Sequence, residues 1–302
     1  MRMDFLQFMQ VLFFALISIC SVKAQSYFTL SSCSYSYSAK GYLPENNIFQ
    51  GEAGNILLPL KMKSEHVILA GITYQKLSIR FEDDKQKQPF FSTGINLGFV
   101  KKTKSGSVLF MVVPRVNSDK ISLSEKNVQT GGVCLITRKK SERVIFKYGL
   151  YYNSELLGPF FVPLLGIDWK VKDNFRIFGV LPQNFVLEKK QNNRFRWGLS
   201  FQSPLTTYHM HEPNDHFYLE QKLIRVGPFS DFYLTKSIAF QLKIDYPFTA
   251  NYKIFDTGTQ YDFDILGIGF GGSRSDNRKP LEKLTHGLIF QIGINYRVEL
   301  EN

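Results

Sequence analysis

From residue 143 onward the chain alternates apolar and polar positions with a period of two. In the last segment Leu288, Phe290, Ile292, Ile294, Tyr296 and Val298 share one side, and Gln291, Gly293, Asn295, Arg297 and Glu299 the other. Phe195, Trp197, Leu199 and Phe201 oppose Arg194, Arg196, Gly198, Ser200 and Gln202; Ile238 to Tyr246 oppose Ala239, Gln241, Lys243 and Asp245. Val144, Phe146, Tyr148, Leu150 and Tyr152 oppose Arg143, Lys147 and Gly149, with Ile145 and Tyr151 breaking the rule. In a strand, residues i and i+2 point the same way, so each segment predicts a strand with one apolar face. A helical period would instead scatter Arg194 and Arg196 onto different faces.

Weaker strands are predicted over 56–62, 66–81, 90–100, 108–116, 128–138, 160–171, 175–187, 217–226 and 261–270. Turn-forming runs separate many of them: Asp83-Asp84-Lys85, Lys104-Ser105-Gly106, Lys139 to Glu142, Lys172-Asp173-Asn174 and Gln191-Asn192-Asn193. Residues 1–24 read as a secretory signal peptide. Arg2 supplies the positive end, Val11 to Ile19 the apolar run, and Val22-Lys23-Ala24 a small-residue cleavage site. With Ile19 before Cys20 and Gln25 at the new end, no lipid anchor is expected. Residues 25–302 carry no Pro/Gly/Ser-rich linker and are read as one domain. After a 24-residue leader, about 280 residues at roughly 22 per strand and connection give about 12 strands.

Composition then narrows the classes. With 44% hydrophobic and 15% aromatic residues the chain has the means to fold, and a mean hydropathy of −0.14 excludes a bundle of apolar spanning helices. Cys33 and Cys134 are the two cysteines beyond the leader, too few for a disulfide scaffold; paired or free thiols both fit. Two all-β architectures remain. A closed antiparallel transmembrane β-barrel turns the apolar faces to lipid. A soluble periplasmic or secreted β-protein that binds a ligand between its sheets turns them inward. Strand lengths suited to crossing a bilayer, and aromatics near strand ends at Tyr152, Trp169, Tyr246 and Tyr296, favour the barrel. The polar stretches Gln202 to His216 and Gly271 to Thr285 are expected to be its outer loops.

The phrases PFFVPLLGIDWKV (159–171), RIFGVLPQNFVLEKK (176–190) and DYPFTANYKIFD (245–256) resemble the uncharacterised outer-membrane β-barrel families of Gram-negative bacteria, domains of unknown function. The resemblance implies a fold and a place, the cell outer membrane, with its lipid and its assembly machinery as partners. It implies no reaction.

Candidate chemistry is sparse. Residues 267–272 match GxGxxG, but a dinucleotide site needs a helix at once and an acid about 20 positions on; SRSDNRKP follows instead, with Ile292 where the acid belongs. No cofactor is expected. Tyr208 to Phe217 collects three of the five histidines, His209, His211 and His216, beside Glu212 and Asp215. Imidazoles at i and i+2 are weak candidates for a metal such as zinc, against the plainer reading of a hydrated loop. No GxSxG elbow is present, and an enzyme is not expected. The formal charge is +11, and if the apolar faces of a barrel point to lipid, Arg143, Lys147, Arg194, Arg196, Lys243 and Arg297 face its lumen. There they either favour anions in a small-solute pathway or pair with acids such as Asp245 and Glu299 and fill the interior, leaving a structural barrel that displays loops. No element that would read nucleic acid appears.

Overall fold

The alternation closes into a cylinder. The computed structural model describes residues 27–38, 49–62, 66–80, 87–211, 216–258, 260–265, 268–270, 282–284 and 287–299; the expected signal peptide lies outside them. The strands are β1 (Tyr27–Ser38), β2 (Phe49–Lys61), β3 (Val67–Arg80), β4 (Lys87–Thr103), β5 (Gly106–Ser118), β6 (Val128–Ser141), β7 (Val144–Glu155), β8 (Gly158–Lys172), β9 (Phe175–Leu181), β10 (Asn184–Lys190), β11 (Phe195–Gln202), β12 (Leu205–His209), β13 (Phe217–Tyr233), β14 (Ile238–Asp256), β15 (Phe263–Ile265), β16 (Ile268–Phe270), β17 (Glu282–Leu284) and β18 (Ile289–Glu299). From β1 to β11 each strand pairs antiparallel with the next, β11 pairs with β13, β13 with β14, β14 with β18, and β18 returns to β1, with Cys33 opposite Ile294.

Fourteen strands therefore form the wall among the described residues, against the expected 12 or so. The difference has identifiable sources. The serine-rich β1 carries too few large apolar residues to stand out, although Cys33, Tyr35 and Tyr37 alternate with Ser34 and Ser36 as a strand should. The expected strand 175–187 is two strands turned at Pro182-Gln183, and the expected strand 261–270 is the small β15–β16 hairpin outside the wall.

Which face points where settles the architecture. Ile72, Leu97, Phe110, Val112, Leu165, Leu199, Ile244 and Ile292 are between 45% and 68% exposed on the outside of the cylinder. Asn96, Gln129, Asn153, Asp168, Arg176, Glu188, Arg196, Ser200, Asp231, Lys243, Asp245 and Arg297 are buried inside it. A protein made for water buries the first set and exposes the second; an apolar jacket around a polar interior is the solution for lipid, where every backbone group must be paired within the wall. This is a transmembrane-type β-barrel rather than a sandwich. Ile145 and Tyr151, the exceptions to the β7 pattern, belong to its inward face.

The two ends differ. Connections at the end shared by Tyr27 and Glu299 are short, such as Lys104-Ser105, Glu142-Arg143, Asp173-Asn174 and residues 234–237. Among the described residues, the opposite end carries 119–127, 210–211, 216, 257–258, 260–265, 268–270 and 287–288. It is called the loop end below, and the other the turn end.

Candidate functional site

The lumen holds most of the buried polar chemistry, and at the turn end this forms a belt. Reading round the wall, the inward residues are Asp168 of β8, Arg176 of β9, Glu188 of β10, Arg196 of β11 and Asp231 of β13, alternating in charge from strand to strand, then neutral Gln241 of β14 and Arg297 of β18. Arg176 donates to Asp168, its Nε at 2.7 Å from Oδ1. Arg196 lies 3.4 Å from Glu188, with both side chains 4% exposed. Arg297 donates to Asp231 at 2.6 Å and to the Tyr233 hydroxyl at 3.0 Å, and Gln241 of β14 donates to the same Asp231 at 2.8 Å.

Aromatic rings knit the belt across the bore. The Tyr27 hydroxyl donates to Glu188 at 2.8 Å. Its ring is faced by the guanidinium groups of Arg196 at 5.1 Å and Arg297 at 4.6 Å, within the range of cation–π attraction. Tyr233 sits 4.8 Å from the Arg196 guanidinium. Three arginines face three acids in this belt, so its net charge is zero.

Midway up, Lys243 reaches Asp245 at 3.0 Å and Gln202 at 3.1 Å, and Arg225 approaches Asp245 at 3.4 Å. Above this a cavity of about 150 Å³ remains between the serine stripe of β1 and β12, touched by Ser36, Gly51, Thr206, Tyr208, Gln221 and Arg225.

The loop end holds a segment expected to lie outside. Instead of looping into solvent, Leu205–His209 continues β11 in register along β13 and lies inside the mouth, every residue from Thr206 to His209 buried. It ends beside β5, with His209 opposite Ser118. Its two faces meet different walls. Tyr208 packs with Phe49, Leu77, Ile79, Phe90, Leu219 and Tyr252 in an apolar cluster. Thr207 accepts from Gln129 at 3.0 Å and donates to Glu155 at 2.6 Å, and Asn117 donates to Gln129 at 2.7 Å. The physical cause is the short β9–β10 hairpin, which leaves β12 without its neighbour on one side, so the strand folds inward to bury its polar backbone.

The remaining sequence candidates separate. Lys147, Arg196, Lys243 and Arg297 point into the lumen, whereas Arg143 and Arg194 sit exposed in turn-end connections; Arg143 lies 3.5 Å from Asp173. The side chain of Glu299 is outside the described residues. His209 is 2% exposed, its ring 5.2 Å from that of His211, while His216 is exposed across the loop. Among the described residues they join no group of three metal-binding side chains; Glu212 and Asp215 lie outside the description. His211 instead places Nδ1 2.6 Å from Asp119 of the β5–β6 loop. Gly269 of the GxGxxG run sits in β16, paired with Asp264; Gly267, Gly271 and Gly272 are outside the description. Cys33 and Cys134 are free and lie on separate strands, β1 and β6.

The family model of a domain of unknown function, DUF6268, matches residues 27–297, all of this barrel but the last two residues of β18. The chain belongs to that family. No curated protein sequence matches it. Among solved structures it is similar to the NanC porin, at 8% identity and a TM-score of 0.35 over 89% of this chain and 100% of that one. It is also similar to a mutant porin of Rh. blastica, at 5% identity and 0.31 over 89% and 98%. A third is the ferric enterobactin receptor of Pseudomonas aeruginosa, at 9% identity and 0.28, covering 88% of this chain and 59% of that one.

Proposed function

We propose that the chain is exported by its N-terminal signal, inserted by the outer-membrane assembly machinery, and resides in the outer membrane as a closed barrel that carries its loops outward. The open, anion-leaning solute pathway is the less favoured of the two readings. The observation that supports closure is the neutral belt of Asp168, Arg176, Glu188, Arg196, Asp231 and Arg297, bridged by Tyr27 and Tyr233. An anion-selective lumen needs unpaired positive charge along a wet path. In the belt each arginine spends its charge on a neighbouring acid, and β12 sits in the other mouth.

Single-channel recording in planar bilayers tests this. The expected result is no conductance steps for the wild type, and steps for the Arg196→Ala, Arg297→Ala double variant, which removes the two guanidinium groups that span the bore. Steady anion-selective steps in the wild type, altered by the Arg194→Ala, Arg196→Ala pair, would establish the solute pathway instead.

A further inference from the structure

The β5–β6 loop and the segment after β12 bring together three side chains that the lumen does not use. His211 Nδ1 is 2.6 Å from Asp119 Oδ1, and His211 Nε2 is 3.1 Å from Ser122 Oγ. The orientation is held from several sides: the His211 backbone N–H donates to both Asp119 oxygens at 3.2 Å, and the Asp119 N–H donates to the His209 carbonyl at 3.1 Å. Asp119 and His211 are mostly buried, with side chains 10% and 22% exposed, whereas Ser122 is exposed.

The partners decide the tautomer. A carboxylate only accepts, so the proton of the neutral ring sits on Nδ1, facing Asp119. Nε2 then carries the lone pair, and the groups beside it are donors: the Ser122 hydroxyl and, at 3.3 Å, the Asn127 Nδ2 amide. This is the arrangement a general base needs to take a proton from a serine, with a carboxylate behind it to stabilise the imidazolium that forms.

Two further features point to a substrate. Asn127, itself fully buried, aims the same Nδ2 at Ser122 Oγ from 2.7 Å and at the Ser122 carbonyl from 3.0 Å. An amide donor held this close to the nucleophile is within reach of the oxyanion that forms on a carbonyl carbon bonded to Ser122 Oγ. Ser122 also stands between Ile121 and Leu123, which are 64% and 87% exposed, and the hairpin below presents Val112 and Val128 on the outer wall, 52% and 42% exposed. Apolar side chains left bare on both sides of a nucleophile suit an apolar chain rather than a free polar solute.

We propose that Ser122, His211 and Asp119 form a hydrolytic triad that cleaves carboxylic esters of apolar acyl chains at the loop end of the barrel. Ser122 Oγ attacks the ester carbonyl as its proton passes to His211 Nε2, and Asn127 donates to the oxyanion. The carbon–oxygen bond to the alcohol breaks, and the imidazolium returns its proton to that alcohol. Water then attacks the acyl-serine, giving its proton to His211; the bond to Oγ breaks, releasing the carboxylic acid, and the serine is reprotonated. Ser122 and His211 are catalytic residues and Asp119 a positioning residue. The assignment stands apart from whether the lumen conducts.

The test uses the full barrel in detergent, with folding checked by its heat-dependent gel mobility. It measures hydrolysis of p-nitrophenyl esters of short and long acyl chains in mixed micelles, and labelling by a fluorophosphonate. The expected result is a label on Ser122 and faster turnover of long-chain esters, reduced at least ~100-fold in Ser122→Ala and His211→Gln. Asp119→Asn should lower kcat with KM unchanged, a split that loosening of the loop alone would not give. Folded wild type that hydrolyses no faster than Ser122→Ala, or a label that falls on another residue or on none, overturns the proposal.

Discussion

Replacing Arg297 with alanine removes a side chain of the turn-end belt that bonds Asp231 and Tyr233 and faces the Tyr27 ring. Arg297 and Asp231 are 7% and 0% exposed and 2.6 Å apart. Deleting one member of such a buried pair costs about 3–5 kcal/mol, because the other charge stays behind without its counterion. Asp231 would retain Gln241 at 2.8 Å, which pulls the cost toward the lower end. The contact over the Tyr27 ring, 4.6 Å away, adds back about 1 kcal/mol. We expect Arg297→Ala to lose about 4 kcal/mol, read by urea unfolding of the inserted barrel. The two tryptophans, Trp169 and Trp197, are 40% and 43% exposed on the outer wall and report release from lipid by fluorescence. The double variant Arg297→Met, Asp231→Leu should recover to within about 1 kcal/mol of wild type, since a filled apolar pair needs no counterion. A single variant within about 0.5 kcal/mol of wild type would refute the reasoning, because it would mean that water already solvates the pair and that the bore is wet at this level.

Two further outcomes follow from where residues point. Cys33 is free and exposed on β1, between Gly54 and Ile294 on the outer wall; in vesicles it should react with a lipid-soluble maleimide and resist a charged one. Rapid reaction with the charged reagent would return the face to water and revive the soluble reading. Gly158, at φ +124°, begins β8, and a Cβ there would meet the Tyr261 carbonyl at 2.5 Å. Gly158→Ala should therefore cost about 1–3 kcal/mol and loosen the β15 segment from β8, visible as faster limited proteolysis near residue 258 with the barrel's heat shift intact; unchanged proteolysis would show that the segment is held elsewhere.

The wall was legible because its code is local. A strand between lipid and a polar lumen must alternate, so Phe290 to Tyr296 and Gln291 to Arg297 can be sorted without knowing any neighbour. The orientation of Lys147, Arg196, Lys243 and Arg297 came from the same rule, and it failed for Arg143 and Arg194 because alternation says nothing about where a strand leaves the bore. The acids of the belt were harder. Asp168, Glu188 and Asp231 show no pattern in their own segments; they pair with arginines only once registers such as Arg196 opposite Asp231 and Glu188 opposite Arg176 are known. Segment 205–209 was the least legible, because a strand buried on both faces by Thr207 and Tyr208 looks in sequence like any polar connection.

The short β9–β10 hairpin explains why the loop end differs from the turn end. Each strand of the hairpin has seven residues, whereas the flanking β8 has fifteen. Gly158 to Leu164 and Leu205 to His209 are therefore left above it without a shared neighbour. Two unpaired edges in a membrane wall are untenable, and the chain satisfies them separately. β15 pairs parallel with β8 at Phe160 and Phe161, while β12 turns into the mouth and buries Tyr208 against β3 and β4. Carrying β12 across to Ser118 sets His211 beside Asp119. The residue that positions the proposed base is thus reached only because the wall is incomplete there. Lengthening the hairpin so that β10 pairs with 203–209 should withdraw His211 from Asp119, and with it the reactivity of Ser122, while leaving the turn-end belt in place.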